Sequence, residues 1–311
     1  MLKKIYNRVT TKLRRIYSVC HAYDYSPANA GWKKYSEPVL GGQGTYFDPY
    51  VKEENGIFNM YVSFRNQNCI VRCESADGIH WTEPKTVLEG SGKDNWEKRV
   101  NRACVINRNG KYYMWYTGQD NQYSRIGLAT SMDGLHFQKY EKNPVLLPTE
   151  QYEQQSVMNP CVIWDEEEGI FKMWYSAGQK YEPDLICYAV SKDGIRWEKY
   201  RYNPVLKHGS EEYDKAKVGG CDVHKIDGRY VMFYIGYQNI DNARICEAES
   251  DDGLNWKRKD YNPILSPSRN SWDAHAVYKP SVHYKKTENK WFLWYNGRRK
   301  HREYIGLAIK D

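Results

Sequence analysis

From about residue 32 onward the chain is built of short runs in which apolar and polar residues alternate, each run only a few residues long. One such run stands at four places: Asn59-Met60-Tyr61-Val62, Tyr113-Met114-Trp115-Tyr116, Lys172-Met173-Trp174-Tyr175 and Val231-Met232-Phe233-Tyr234. Each leads, through a second short run, into a Ser-x-Asp-Gly phrase that ends on an aromatic residue: Ser75 to Trp81, Ser131 to Phe137, Ser191 to Trp197 and Ser250 to Trp256. The Asp-Gly pairs are 56, 60 and 59 residues apart. Alternation over such lengths, punctuated by glycine turns, predicts β-strands. Self-similarity at this period predicts a unit that buries its apolar surface only by stacking on its copies.

Each unit reads as four strands. In the second, an inner strand at Ala103–Ile106 is followed by a turn at Gly110, the aromatic strand, an Ile-Gly-Leu-Ala strand, and an Asp-Gly pair that predicts a tight hairpin into an outer strand. Four strands per repeat is the arithmetic of a β-propeller. A fifth unit begins at Val277 and runs out after Ile305-Gly306-Leu307-Ala308. Its missing outer strand has a counterpart near the start of the chain, where Trp32-Lys33-Lys34-Tyr35 and Pro38-Val39-Leu40 match Trp197-Glu198-Lys199-Tyr200 and Pro204-Val205-Leu206. The expected architecture is all-β: one five-bladed propeller over residues 26–311, closed by an N-terminal strand that completes the last blade.

Residues 1–25 show a different period. Leu2, Ile5, Tyr6, Val9, Leu13, Ile16, Tyr17 and Cys20 fall at helical spacing, with six basic residues and no acid up to Cys20. A basic amphipathic helix is expected there, either packed on the propeller or lying on an anionic membrane face.

Composition changes this picture in few ways. The chain has 28 Tyr and 11 Trp against 7 Phe, a balance that favours rings with one polar edge. The net charge of +7 is spread among interspersed acids and bases, which does not suggest a nucleic-acid partner. No apolar run is long enough to span a bilayer and the start lacks a signal-peptide core, so a cytoplasmic protein, in peripheral membrane contact through residues 1–20 if at all, is the expectation. The eight cysteines show no zinc spacing and read as small core residues, and no metal is expected.

Recurrence separates architecture from candidate chemistry. Glu97, Glu153, Asp214 and Asp273 precede the inner strands at like positions, and every Asp-Gly turn carries its Asp, so these acids read as structural. Aligning the inner strands puts Asp48, Arg102, Asn159, Gly220 (or Gly219 in a register shifted by one) and Lys279 at one level of the funnel, polar and different in every unit. The two-residue period places Asp222 on the same face one layer deeper, with His224 beyond it.

The phrase Thr45-Tyr46-Phe47-Asp48-Pro49-Tyr50 resembles the first-blade Asp-Pro motif of the five-bladed glycoside hydrolases of families 32, 43, 68 and 130. Met-Trp-Tyr-x-Gly, Ile-Gly-Leu-Ala and Asn-Pro-Val-Leu are similar to their blade phrases. The resemblance covers about residues 31–311 and implies a carbohydrate-active enzyme. In families 32 and 43 it implies Asp48 as nucleophile or base, but the partner acids are absent: Val100-Asn101-Arg102-Ala103 and Met158-Asn159-Pro160 stand where they are expected. The mannoside phosphorylases of family 130, which the resemblance describes as using the first-blade Asp as proton donor with cations holding phosphate, need no second carboxylate. The expectation is therefore a glycoside hydrolase or phosphorylase with Asp48 as acid or base and Asp222 as the second carboxylate where hydrolysis needs one. Tyr46, Arg65, Asn101, Arg102, Asn159, His224 and Lys279 are expected to bind an oligosaccharide or glycoside, and inorganic phosphate as co-substrate. A glycan-binding propeller without catalysis, or a protein of surface-polysaccharide synthesis, stays open.

Overall fold

The computed structural model describes residues 30–179, 183–239 and 241–311. The helix expected over residues 1–25 lies outside them. Within them the chain is strand and loop, apart from one turn of 3-10 helix at Gln151–Glu153. No helix among the described residues is long and apolar enough to cross a membrane.

Five antiparallel units follow one another. They are β2–β5 (Tyr46–Glu54, Ile57–Phe64, Cys69–Ser75, Lys85–Glu89), β6–β9 (Arg99–Arg108, Lys111–Gln119, Ser124–Ser131, Gln138–Lys139) and β10–β13 (Ser156–Asp165, Ile170–Gly178, Pro183–Ser191, Glu198–Lys199). Next come β14–β17 (Lys217–Ile226, Arg229–Tyr237, Ala243–Ser250, Lys257–Arg258) and β18–β20 (Ala276–Lys285, Lys290–Arg299, Arg302–Lys310). β1 (Lys33–Lys34) pairs antiparallel with β20, Lys34 opposite Ala308.

The aromatic second strands are buried on both faces, not one: Met114, Trp115 and Tyr116 are all inaccessible. A neighbouring unit covers each face, so the alternation in sequence marks which neighbour a side chain meets. Toward the next unit, Trp115 donates its indole N–H to the Gly194 carbonyl (2.9 Å), Trp174 to Gly253 (2.8 Å) and Trp294 to Gly78 (2.9 Å). Tyr61 makes the same link to Gly134 through its hydroxyl (3.0 Å). These glycines are necessary twice over. Gly194 has φ +74°, and a Cβ there would lie 2.8 Å from Trp115.

The Asp-Gly turns are not the tight hairpins expected. Ser131 ends β8 and β9 starts only at Gln138. The aspartate instead collects backbone amides: Asp133 Oδ1 accepts from Leu135 (2.8 Å) and His136 (2.9 Å), and Asp193 Oδ1 does the same for Ile195 and Arg196. The recurring acids also have a common use. Glu97, Glu153, Asp214 and Asp273 each accept from the second-strand tyrosine of their own unit, Tyr116, Tyr175, Tyr234 and Tyr295. Each also pairs with a fourth-strand cation: Lys139, Lys199, Arg258 and, from β1, Lys34.

A ring of contacts joins the first strands. Tyr50 donates to the Val105 carbonyl (2.8 Å), Cys104 Sγ accepts the Val162 amide (3.2 Å), and Cys161 Sγ the Val223 amide (3.2 Å). Asp222 Oδ2 accepts the Val282 amide (2.6 Å), and Ser281 Oγ accepts the Val51 amide (2.8 Å), which returns to the first unit. The described cysteines are all buried and free.

Candidate active site

Two residues before each of those five contacts, the first strand carries a β-bulge. Pairing with the second strand slips between Phe47 and Tyr50, Asn101 and Cys104, Met158 and Cys161, Gly219 and Asp222, and Tyr278 and Ser281. At each bulge one residue is left-handed: Asp48 (φ 55°), Arg102 (56°), Asn159 (52°), Gly220 (43°) and Lys279 (49°). These are the five residues that the sequence aligns at one level. A bulge re-aims the side chain it carries, and a left-handed residue other than glycine costs about 1–2 kcal/mol. Four of the five positions bear that cost with a polar side chain, which marks the level as a site.

The strained backbone is held from the unit before. Ser63 Oγ accepts the Arg102 amide (2.9 Å), Thr117 Oγ1 the Asn159 amide (3.1 Å), Ser176 Oγ the Gly220 amide (2.8 Å), and Asn296 Oδ1 the Asp48 amide. The fifth equivalent is Ile235, which cannot accept.

Asp48, Arg65, Asn101, Arg102 and Asn159 all line one cavity of about 450 Å³, closed further by Arg99, Tyr278, Arg298 and Glu303. That volume suits a small saccharide. Arg102 is fixed within it: Nη1 donates to Asn101 Oδ1 (3.0 Å), and Nε lies 3.2 Å from Asp48 Oδ2. Asn101 in turn donates to Gln119 (2.9 Å), and Gln119 to Ser124 (2.9 Å). Asp48 is only 3% exposed. Its Oδ2 makes the ion pair without hydrogen-bond alignment, and Asn159 Oδ1 likewise accepts no hydrogen bond. Buried acceptors left this way cost about 1–3 kcal/mol each, which a hydroxyl-rich ligand would recover.

Four expected site residues stand elsewhere. Asp222 is in the ring of inter-unit contacts, its carboxylate taken by the Val282 amide, so it does not join Asp48 as a second acid. Burial pushes its carboxyl up, but His224, with Nε2 3.2 Å away, and the Val282 amide bring it below the usual range. His224 lines a separate cavity with Trp164, His283 and Trp291. Tyr46 stacks on Phe64 (ring centroids 4.8 Å apart) and packs into the first unit's core, off the cavity wall. Lys279 is 3% exposed and runs past Gly220: a Cβ there would sit 3.4 Å from Lys279 Cδ. Glycine at 220 leaves room chiefly for Ile235, whose Cδ1 a Cβ would meet at 2.6 Å.

Glu303 is the functional candidate that the inner-strand comparison misses. It stands second in β20, two residues before Ile305, and the residues two before the matching isoleucines Ile70, Ile126, Ile186 and Ile245 are Asn68, Ser124, Asp184 and Ala243. Comparing third strands leaves two acids at this position, Asp184 and Glu303, and of these Glu303 lines the cavity. No cluster of three or more His, Cys, Asp or Glu able to hold a metal is found among the described residues.

The bulged first strands thus bound one cavity in which a carboxylate and an arginine face each other. The chain belongs to the propeller glycoside hydrolase superfamily: residues 58–213 and 188–307 each match the family model of the glycosyl hydrolases family 32 N-terminal domain. It is similar to a 1,2-beta-oligomannan phosphorylase of Thermoanaerobacter sp. (strain X514), 30% identical over 241 residues that cover 73% of this chain and 74% of that protein. A beta-1,2-mannobiose phosphorylase of the same organism is 27% identical over 247 residues, covering 73% and 75%. Among solved structures, a beta-1,2-mannobiose phosphorylase from Listeria innocua in complex with beta-1,2-mannobiose superposes with a TM-score of 0.71 at 14% identity, over 90% of this chain and 96% of that one.

Proposed function

We propose that the chain is a glycoside phosphorylase or hydrolase that cleaves an oligosaccharide in the cavity around Asp48. We read the five units as blades of one propeller closed by β1, with this cavity as its funnel. The observation that carries the reading is the Asp48–Arg102 pair, placed at the left-handed bulges by the neighbouring unit. Arg65, Asn101, Arg102 and Asn159 bind the sugar. Four guanidinium groups, from Arg65, Arg99, Arg102 and Arg298, line the cavity against two carboxylates, and this excess suits inorganic phosphate as co-substrate. The similarity to enzymes named for β-1,2-mannosides makes that linkage the first substrate to try. A cytoplasmic location completes the reading.

The test is turnover of β-1,2-mannobiose and longer β-1,2-mannans with and without phosphate, reading free mannose and mannose 1-phosphate. Wild type releases one or both, and Asp48→Asn, with unchanged circular dichroism, lowers the rate at least about 100-fold. The Asp48–Arg102 ion pair also favours a second reading, a glycan-binding pocket without catalysis. Saturable glycan binding by a wild type that turns over no glycoside, with or without phosphate, establishes that one instead.

A further inference from the structure

Two carboxylates share the Asp48 cavity, and their surroundings are opposed. Asp48 faces the guanidinium of Arg102, which is held by Asn101 and, through its backbone, by Ser63. Glu303 is 9% exposed, and the cation that meets it is Arg65, 3.4 Å from Oε2 and itself 55% exposed. Arg65 reaches in from solvent, stacked on Phe47, so its field at Glu303 is screened. The charged and titratable groups facing Glu303 come from β2 (Asp48), the end of β3 (Arg65), β18 (Tyr278) and β19 (Arg298). Burial pushes the Glu303 carboxyl above the ordinary glutamate range and the Asp48 charge adds to this, while Arg65, Arg298 and Tyr278 oppose it. The equivalent third-strand residue of the third unit, Asp184, is also an acid, but it lies off this cavity and pairs with Lys217 (2.7 Å), so Glu303 alone of the two joins Asp48.

We propose that Glu303 is the general acid for glycosidic-bond cleavage in this cavity, with Asp48 as the general base. The inference rests on the reading that the cavity cleaves glycosides. An acid and a base are distinguished by environments that hold one protonated and the other ionised. In hydrolysis, Glu303 gives its proton to the glycosidic oxygen as the bond from that oxygen to the anomeric carbon breaks, and the bonding pair stays on the oxygen. Water attacks the anomeric carbon and its proton passes to Asp48, then through solvent back to Glu303. With hydrogen phosphate as nucleophile, its oxygen forms the new bond to carbon, and its proton restores Glu303.

The experiment compares Glu303→Gln with wild type on an oligosaccharide and on its 4-nitrophenyl glycoside, whose leaving group needs no proton. The oligosaccharide kcat should fall about 100- to 10,000-fold, the aryl glycoside rate less than about tenfold, and the basic limb of the pH–rate profile should vanish. An oligosaccharide kcat within about threefold of wild type, or equal losses on both substrates, overturns the proposal. Should the variant not fold, carbon-13 titration of Glu303 in the wild-type enzyme decides. A Glu303 carboxyl that titrates with the basic limb supports the proposal, and one in the ordinary glutamate range overturns it. Failure of wild type on every glycoside would instead sink the underlying reading.

Discussion

Replacing Gly194 with alanine places a methyl group 2.8 Å from Trp115 Cζ2 and 3.5 Å from Phe171 Cε2, at a backbone φ of +74°. The left-handed backbone costs an alanine about 1–2 kcal/mol. Trp115 is inaccessible and has no free volume to retreat into, so overpacking adds about 1–3 kcal/mol. A destabilisation of about 2–5 kcal/mol corresponds to a melting temperature lower by roughly 5–15 °C in a domain of this size. Denaturant midpoints measured alongside Trp115→Phe and the double variant test the mechanism. The phenyl ring loses one bond to the Gly194 carbonyl, which keeps the bond from Trp197 (3.1 Å), so the loss is about 0.5–1.5 kcal/mol, and it also vacates space for the methyl. The double variant should therefore be at least about 1 kcal/mol more stable than the two single losses imply. Strict additivity, or a Gly194→Ala protein within about 0.5 kcal/mol of wild type, refutes the close-contact account.

Two further predictions concern carboxylates outside the proposed chemistry. Asp222→Ala strands the Val282 amide and should cost about 1–3 kcal/mol of stability, while oligosaccharide affinity stays within about twofold; lost binding at unchanged stability would return Asp222 to the site. At Asp193, burial pushes the carboxyl up, but the Arg196 and Ile195 amides and the Ser191 hydroxyl hold it below the usual range. A depressed folded value means that its contribution is present above the unfolded carboxylate range and is lost as pH falls through the folded one. Asp193→Asn keeps an acceptor oxygen without titrating, so the stability drop between pH 7 and pH 3, read from urea midpoints, should be smaller than in wild type.

Much of the scaffold is legible because repetition exposes it. The four acids Glu97, Glu153, Asp214 and Asp273 recur because each ties a second-strand tyrosine to a fourth-strand cation. Aligning the first strands also finds Asp48, Arg102, Asn159, Gly220 and Lys279, which coincide with the five left-handed residues. The bulges themselves are not legible, since a slipped pairing leaves no mark in a two-residue period. Asp222 shows the consequence. Strict alternation puts it on the Gly220 face, but that period cannot distinguish an open wall from a layer of side chains bonded to the next unit's amides. The Asp-Gly pairs mislead for a local reason: glycine's positive φ is common to a tight hairpin and to a longer loop gathered on an aspartate. Glu303 goes unseen because the site is assumed to lie on first strands alone, whereas the cavity also takes its wall from the starts of third strands.

The five left-handed bulges separate two jobs that most binding sites leave entangled. Four of the five are gripped from behind, through the backbone amide, by a serine, threonine or asparagine of the neighbouring unit, and the Asn159 side-chain amide also braces the Ser176 hydroxyl that grips Gly220. The position therefore works as a socket whose geometry is fixed by the ring. An acid, a guanidinium and an amide occupy the three sockets that line the cavity, at Asp48, Arg102 and Asn159. At Asp48 and Arg102 the same frame can carry a different reagent by exchange of the side chain, with the backbone grips of Asn296 and Ser63 left in place; at Gly220 it cannot, because a Cβ would meet Ile235 Cδ1 at 2.6 Å.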